Sequence, residues 1–508
     1  MNQGLVQSKP FYFYQALTTL CLFCMASGMF GQSSGVLWNV GADSLDQRVQ
    51  RSGLLYHPAL QPISPFQNTE YGATQEADST MRLSFSPVLD LAGGISNENR
   101  GVASGFAGGE LRLVLKNKFF AQAGYTANYL QNIGYLEDIA ALRGTLAGVG
   151  KSQVIGDGYF ANYFYGRANY QAGKRVNIEV GNGKQHWGDG FRSLVLSDNA
   201  PAYPYMKFQL DVWRVRYNAL YGMLKQGDRK KFFATHGFSF NAGKRLQFTF
   251  YEMVIWQATD SLNNRTLDLH YLNPILFYRP VEYAQGSADN VLLGAGFKWR
   301  PLKKWNFYGQ IILDEFLLSQ VKASSGWWAN KFGGQIGFQL IEPIKGLTWR
   351  SEINAVRPFT YSHGSPIQSW GHMYQPLAHP LGANFSEWIN EIQYKIGQWT
   401  VYNVNMYAAR GEDADLNGDG TIDNMGGDIF ISYATPYKDF GNNLLQGERH
   451  TYIYNQLSVA RSFKKYNFLE YYVSHIYRSN QFSGKDVNEQ YIMVGIRLKG
   501  QKAPNRVF

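Results

Sequence analysis

Cysteine is nearly absent. The 508-residue chain has two, Cys21 and Cys24, both inside an apolar N-terminal stretch. The rest of the chain therefore offers no disulfide and no thiolate metal site. Leu-Thr-Thr-Leu precedes Cys21 and Leu-Cys-Leu-Phe precedes Cys24, neither of which is a lipobox, and this argues against a lipid anchor. Long hydrophobic runs are equally scarce. The one apolar stretch, Ala16 to Phe30, is short for a membrane helix and gives way to polar sequence. With Lys9 ahead of it and Ala26-Ser27-Gly28 at its end, it has the layout of a Sec-type signal peptide, cleaved near Gly31 or Gln32. Catalytic frames are missing too: there is no Gly-x-Ser-x-Gly elbow and no His-Glu-x-x-His helix, so no enzyme is expected. The formal charge of +10 is scattered or confined to short turns, without a basic helix or zinc framework, which excludes nucleic acid as the natural partner. A basic secreted surface suits acidic lipid headgroups or an acidic polysaccharide better.

Aromatic residues are abundant: they make up 16% of the chain against 17% charged, yet the mean hydropathy is −0.31. A large apolar core would raise that value. Strands that alternate one apolar with one polar side chain reconcile the two numbers. From Leu347 to Val356, Leu347, Trp349, Ser351, Ile353 and Ala355 share one face and Thr348, Arg350, Glu352 and Asn354 the other. From Glu387 to Ile396, Trp388, Ile392, Tyr394 and Ile396 oppose Glu387, Glu391, Gln393 and Lys395. After Gly397-Gln398, Thr400, Tyr402, Val404, Met406 and Ala408 alternate against Asn403, Asn405 and Tyr407, which completes a hairpin.

A charge facing lipid at the bilayer midplane costs roughly 2 to 4 kcal/mol, so the charged face must look into a lumen or into packed protein. Short basic or glycine turns (Lys116-Asn117-Lys118, Ala172-Gly173-Lys174, Ala242-Gly243-Lys244, Leu302-Lys303-Lys304, Lys464-Lys465) alternate with long polar stretches at 131–158, 184–205, 257–290, 358–386 and 411–449. Strict alternation of this kind belongs to outer-membrane barrels, with short periplasmic turns and long outer loops. The expected fold is all-β, a transmembrane antiparallel β-barrel of about 18 strands. It runs from a first strand at Met81 to Leu91 to a last at Gln490 to Lys499 and a terminal Phe508, with both ends in the periplasm. The expected organisation is a signal peptide at 1–31, a periplasmic segment or partial plug at 32–80 with a short helix at Ala42 to Arg51, and the barrel at 81–508, in the outer membrane of a Gram-negative bacterium.

Four segments look like sites. Arg357 to Trp388 holds His363, His372 and His379, whose spacing matches no metal motif. Its aromatic and amide content suits sugars, because flat rings stack on pyranose faces; the equal alternative is a structured loop folded into the barrel mouth. The glycines of GNGKQHWGDGFR at 181–192 serve tight turning, leaving Lys184, His186, Asp189 and Arg192 to present charge to a polyanion. HYLNPILFYRPVEY at 270–283 is too apolar for a solvated loop and is expected to pack inward, with Arg279 and Glu282 as a lumen ion pair. Asp415, Asn417, Asp419, Thr421 and Asp423 fit the first part of an EF-hand loop, but position 12 is Gly426 instead of an acid. Calcium, at roughly 10⁻⁴ to 10⁻³ M, is the one cofactor this suggests, and none is required. The alternative is an Asp/Asn/Gly turn cluster.

The segments HYLNPILFYRPVEY, GDGFRSLVLSDNAPAYPYMK and GHMYQPLAHPLGANFSEW resemble outer-membrane proteins of the Wzi-type capsule-assembly family, especially its Bacteroidota branch, some of whose members are labelled gliding-motility proteins. The resemblance implies a many-stranded barrel that holds capsular polysaccharide at the cell surface without catalysis. On that reading Trp370, His372, Tyr374, His379 and Asn384 are the expected polysaccharide contacts. Two other expectations stand beside it: an accessory barrel serving motility, adhesion or secretion proteins, and a passive porin.

Overall fold

The computed structural model describes residues 81–498 apart from 117, 260–264, 266, 267, 269, 272–288, 464, 465 and 467. The expected signal peptide and periplasmic segment lie outside the described residues, as do Phe508, Asn117, Lys464, Lys465 and the Arg279–Glu282 pair.

Eighteen antiparallel strands form a closed wall. They are β1 (Met81–Ser96), β2 (Gly101–Leu115), β3 (Phe119–Gln131), β4 (Gly158–Ala172), β5 (Val176–Gly183), β6 (Tyr203–Val212), β7 (Val215–Gln226), β8 (Arg229–Asn241) and β9 (Leu246–Gln257). The second half comprises β10 (Asn290–Trp299), β11 (Trp305–Glu315), β12 (Lys331–Ile341), β13 (Leu347–Val356), β14 (Phe385–Ile396), β15 (Trp399–Glu412), β16 (Glu448–Ser462), β17 (Leu469–Phe482) and β18 (Lys485–Leu498). Each strand pairs with its sequence neighbours, and β1 closes the ring on β18 from Asp90↔Arg497 to Ser96↔Tyr491. At that seam Gly94 lies so close to β18 that a Cβ would stand 2.0 Å from the Ile492 carbonyl oxygen, so only glycine fits. A short strand, Gln153–Ile155, adds to the outer end of β4.

The alternation read from sequence takes its membrane sense directly from burial. On β13, Arg350, Glu352 and Asn354 are buried, while Trp349 and Ile353 are exposed at 37% and 51%. Polar groups therefore face the lumen and apolar ones face outward, as a wall in lipid requires. On β18, Ile492 and Val494 point outward at 54% and 61% exposure, whereas Tyr491 and Met493 are buried.

Beginning with the first strand, connections at one end are all short and include every turn anticipated as short; the two described ends of the chain lie on this side. At the other end the alternation is not strict. Connections 97–100, 227–228 and 483–484 are tight turns there too, while 316–330 is a long loop that the sequence reading passed over. The 132–157 loop carries helix α1 (Gly134–Arg143), terminated by left-handed Gly144 at φ 63°, and 316–330 carries the short helix α2 (Leu318–Lys322).

One flank of the wall is covered by the protein itself. Ala234, Val254, Trp256 and Val291 occupy outward positions near the outer rim but are buried with Tyr271, which packs 5.0 Å from Trp256. The Trp256 indole donates to the Arg265 carbonyl at 3.0 Å. The described start of the 270–283 segment thus lies against the outside of the wall. It was expected to pack inward; apolar strand positions there offer it an equally dry seat.

Candidate ligand-binding site at the outer mouth

The inward face of the strands is a lattice of carboxylates, amides and amines, and two loops use it as their anchor. The first is 184–202, between β5 and β6. Trp187, Leu194, Val195 and Leu196 in it are fully buried. Its backbone is held by mid-strand side chains: Glu352 accepts from Phe191 N at 2.7 Å and Arg192 N at 3.1 Å, and Gln310 accepts from Leu194 N and donates to the Trp187 carbonyl, both at 3.0 Å. Buried backbone groups need such partners, and here the wall supplies them.

The second loop, 357–384, closes over the first. The Tyr361 hydroxyl donates to the Leu194 carbonyl at 2.6 Å, the Trp370 indole to the Val195 carbonyl at 2.8 Å, and Ser197 N to the Leu377 carbonyl at 2.7 Å. Near the rim, Lys225 N donates to His372 Nδ1 at 2.9 Å. Both loops thus fold into the lumen and pack against each other there.

This arrangement corrects two expectations. Lys184, His186, Asp189 and Arg192 do not face a polyanion; all four are inside the lumen. Lys184 Nζ donates to the Asp198 carbonyl at 2.9 Å, Asp189 pairs with Lys298 at 3.0 Å and Arg192 with Glu387 at 3.0 Å. Of the five nominated polysaccharide contacts, Trp370, His372, His379 and Asn384 are buried and present no open face. Trp370 packs edge-on to Phe233 at 6.2 Å, and His379 stacks on Phe385 at 4.2 Å while bonding Glu387 at 2.8 Å. Asn384 donates to the Gly411 and Gln446 carbonyls and accepts from Leu445 N, tying two loops together. Tyr374 alone is exposed, beside Phe430 at 5.8 Å, with Arg143 lying 5.3 Å over the Phe430 ring.

A more open cluster stands where loops 316–330, 357–384 and 413–447 meet. Trp328 is edge-on to Phe359 at 5.8 Å, 5.0 Å from Tyr433 and 6.3 Å from Trp327. Trp327, Trp328 and Tyr433 each keep part of their surface exposed. Lys331 Nζ sits 4.4 Å over Tyr433 and pairs with Asp314 at 3.2 Å and Glu315 at 3.1 Å. His363 lies 5.5 Å from Tyr433; burial, with Lys331 nearby, pushes its imidazole down to about 4, so it is neutral at pH 7. Gly326 sets the approach of the tryptophans: it is left-handed at φ 63°, and a Cβ would meet Asn442 N at 2.7 Å. Half-open rings beside charged hydrogen-bonding groups suit a polyhydroxylated ligand. Sequence reading missed this cluster, although the adjacent Trp327-Trp328 pair after a glycine was the available signal.

The 415–423 loop is an exposed turn. Asp415 accepts from Gly418 N at 2.7 Å and Gly420 N at 2.9 Å, Asp419 from Thr421 N at 2.8 Å, and Asp423 from Leu416 N at 3.0 Å. Asn417 accepts from Asp419 N at 3.2 Å. Among the described residues, no group of three or more His, Cys, Asp or Glu side chains converges as a metal site.

No known family model matches the chain, and no curated protein matches it in sequence. Solved structures do resemble it in fold. Wzi of Escherichia coli, described as an outer-membrane protein involved in group 1 capsule assembly and a carbohydrate-binding β-barrel, superposes with a TM-score of 0.57 at 11% identity, covering 91% of this chain and 98% of that one. OprD of Pseudomonas aeruginosa gives 0.42 at 10% identity over 82% and 94%, and OpdK of the same organism, solved with vanillate, 0.44 at 9% over 82% and 98%. The protein has the fold of an outer-membrane β-barrel.

Proposed function

We propose that this protein is a non-enzymatic outer-membrane barrel that retains surface polysaccharide on its outer loops. The observation that carries this reading is the pair of loops docked inside the lumen. Loops 184–202 and 357–384 occupy the space through which a porin would conduct, and their backbone groups are satisfied by the wall. The outer cap is left as the working surface. There Trp327, Trp328 and Tyr433 supply rings for stacking on sugar faces, while the part-exposed Glu315, anchored by buried Lys331, supplies a charged hydrogen-bonding group beside them. The carbohydrate binding of the similarly folded E. coli barrel agrees with this choice of ligand class. No cofactor is required.

The test uses purified full-length protein in detergent and capsular polysaccharide from the source strain. Trp327→Ala with Trp328→Ala is expected to weaken binding at least tenfold, since stacking and apolar contact at each ring contribute about 1 kcal/mol or more. Undiminished binding by that variant, or an unchanged capsule in a deletion strain under electron microscopy, would overturn the reading.

A further inference from the structure

The lipid-facing wall carries an anomaly on β14 to β16. On β15 the apolar residues Val404, Met406 and Ala408 face inward and are buried, whereas Asn403 and Asn405 lie on the outward face between exposed Trp399 and Tyr407. Over Asn403 to Met406 the strand is inverted relative to the pattern on β13. Its register fixes this: Trp388 is opposite Tyr407, and Asn390, Asn405 and Asn455 are in line across three strands. All four asparagines keep part of their surface exposed.

These amides bond to one another in one direction. Asn403 Nδ2 donates to the Gln456 carbonyl at 3.0 Å, Asn405 Nδ2 to Asn403 Oδ1 at 2.5 Å, and Asn455 Nδ2 to Asn405 Oδ1. The chain stops there. Among the described residues, Asn390 has no partner for its amide and Asn455 Oδ1 has no donor. An amide brings two N–H donors and an acceptor with two lone pairs, so each link leaves capacity unused. In hydrocarbon that capacity has no water to meet it, and every unmet group is unfavourable.

We infer that this asparagine row is the interface through which two copies of the protein associate side by side in the membrane. Amides are self-complementary, being donor and acceptor at once. A second copy turned about an axis along the membrane normal also brings the same groups to the same depth, with Asn405, the middle of the row, against its own counterpart. An unrelated barrel has no such guarantee of depth. Twofold association of this kind buries one patch of each copy against the same patch of the other.

The residues 81–498 contain no cysteine, so a thiol introduced into the wall is well placed to report proximity. In outer-membrane vesicles carrying the full chain, Asn405→Cys is expected to give a cross-linked dimer with a short bifunctional thiol reagent. Met206→Cys, outward and 44% exposed on the far wall, is expected to give none. Light scattering of detergent-purified protein is expected to show a dimer that becomes monomeric in an Asn390→Leu, Asn405→Leu, Asn455→Leu variant whose barrel still shifts on heating before electrophoresis. Equal cross-linking at both positions, a cross-link to a protein of another mass, or a monomer throughout would overturn the proposal.

Discussion

Arg192 and Glu387 meet at 3.0 Å inside the barrel, 195 positions apart in the chain, with 5% and 0% of their side chains exposed. The second Glu387 oxygen bonds His379 at 2.8 Å. One carboxylate on β14 therefore holds both loops docked in the lumen. Removing one partner of a buried pair leaves the other charge uncompensated, at about 3–5 kcal/mol. Glu387→Gln is accordingly expected to loosen the loops and give opening events in planar bilayers where the parent protein is silent. Replacing both partners by methionine is expected to do so less, and a silent Glu387→Gln would count against the latch.

Trp370 belongs to the packing of the 357–384 loop. Trp370→Ala is expected to destabilise the docked loop by about 3–5 kcal/mol and to raise its cleavage by trypsin several-fold. Trp327→Ala, at a partly exposed ring, is expected to leave cleavage close to the parent rate.

Acid is expected to release the same loop. Burial holds His363 and His372 down to about 4, with Lys331 and Lys231 respectively adding to the effect, whereas a freed loop titrates them near 6.5. Between those values the released loop binds protons that the docked one does not. Docking is thus fully favoured above about pH 6.5 and weakens as pH falls toward 4. Tryptophan fluorescence and trypsin sensitivity followed from pH 7 to 4 should show the change, and His372→Gln should flatten it. A parent profile without slope across that window would contradict the linkage.

The outward wall gives a depth-dependent prediction. Ile353→Lys puts a charge on the lipid face of β13 and is expected to cost roughly 2 to 4 kcal/mol in urea titrations of folding into lipid vesicles. Ile353→Leu should stay close to the parent value.

The barrel was legible because a wall between lipid and a polar lumen imposes period two: Trp349 and Ile353 against Arg350, Glu352 and Asn354 gave both the strand and its orientation. The same logic failed on β15. There loop 184–202 packs against the inward face, and Arg192 reaches Met406 at 4.0 Å, so apolar residues face inward. The site was legible only as a region. Trp370 and His372 have the composition of a sugar cleft, but identical residues pack a buried loop, and local sequence does not say which side faces water. The Trp327, Trp328 and Tyr433 cluster draws on loops remote in sequence, and no single window contains it.

Gly183 and Tyr203, the two feet of the 184–202 loop, are directly opposite each other across β5 and β6. The strand ladder of the barrel does not run through what hangs between them, although Glu387 and Lys298 of the wall would lose Arg192 and Asp189 with it. Each cork is strung from one point on the rim, so a tight turn joining those two residues would remove this one without cutting a stave and leave loop 357–384 in place. Val356 and Phe385, the feet of 357–384, are paired in the same way, so a pore former and a stoppered anchor are, in this architecture, two excisions apart.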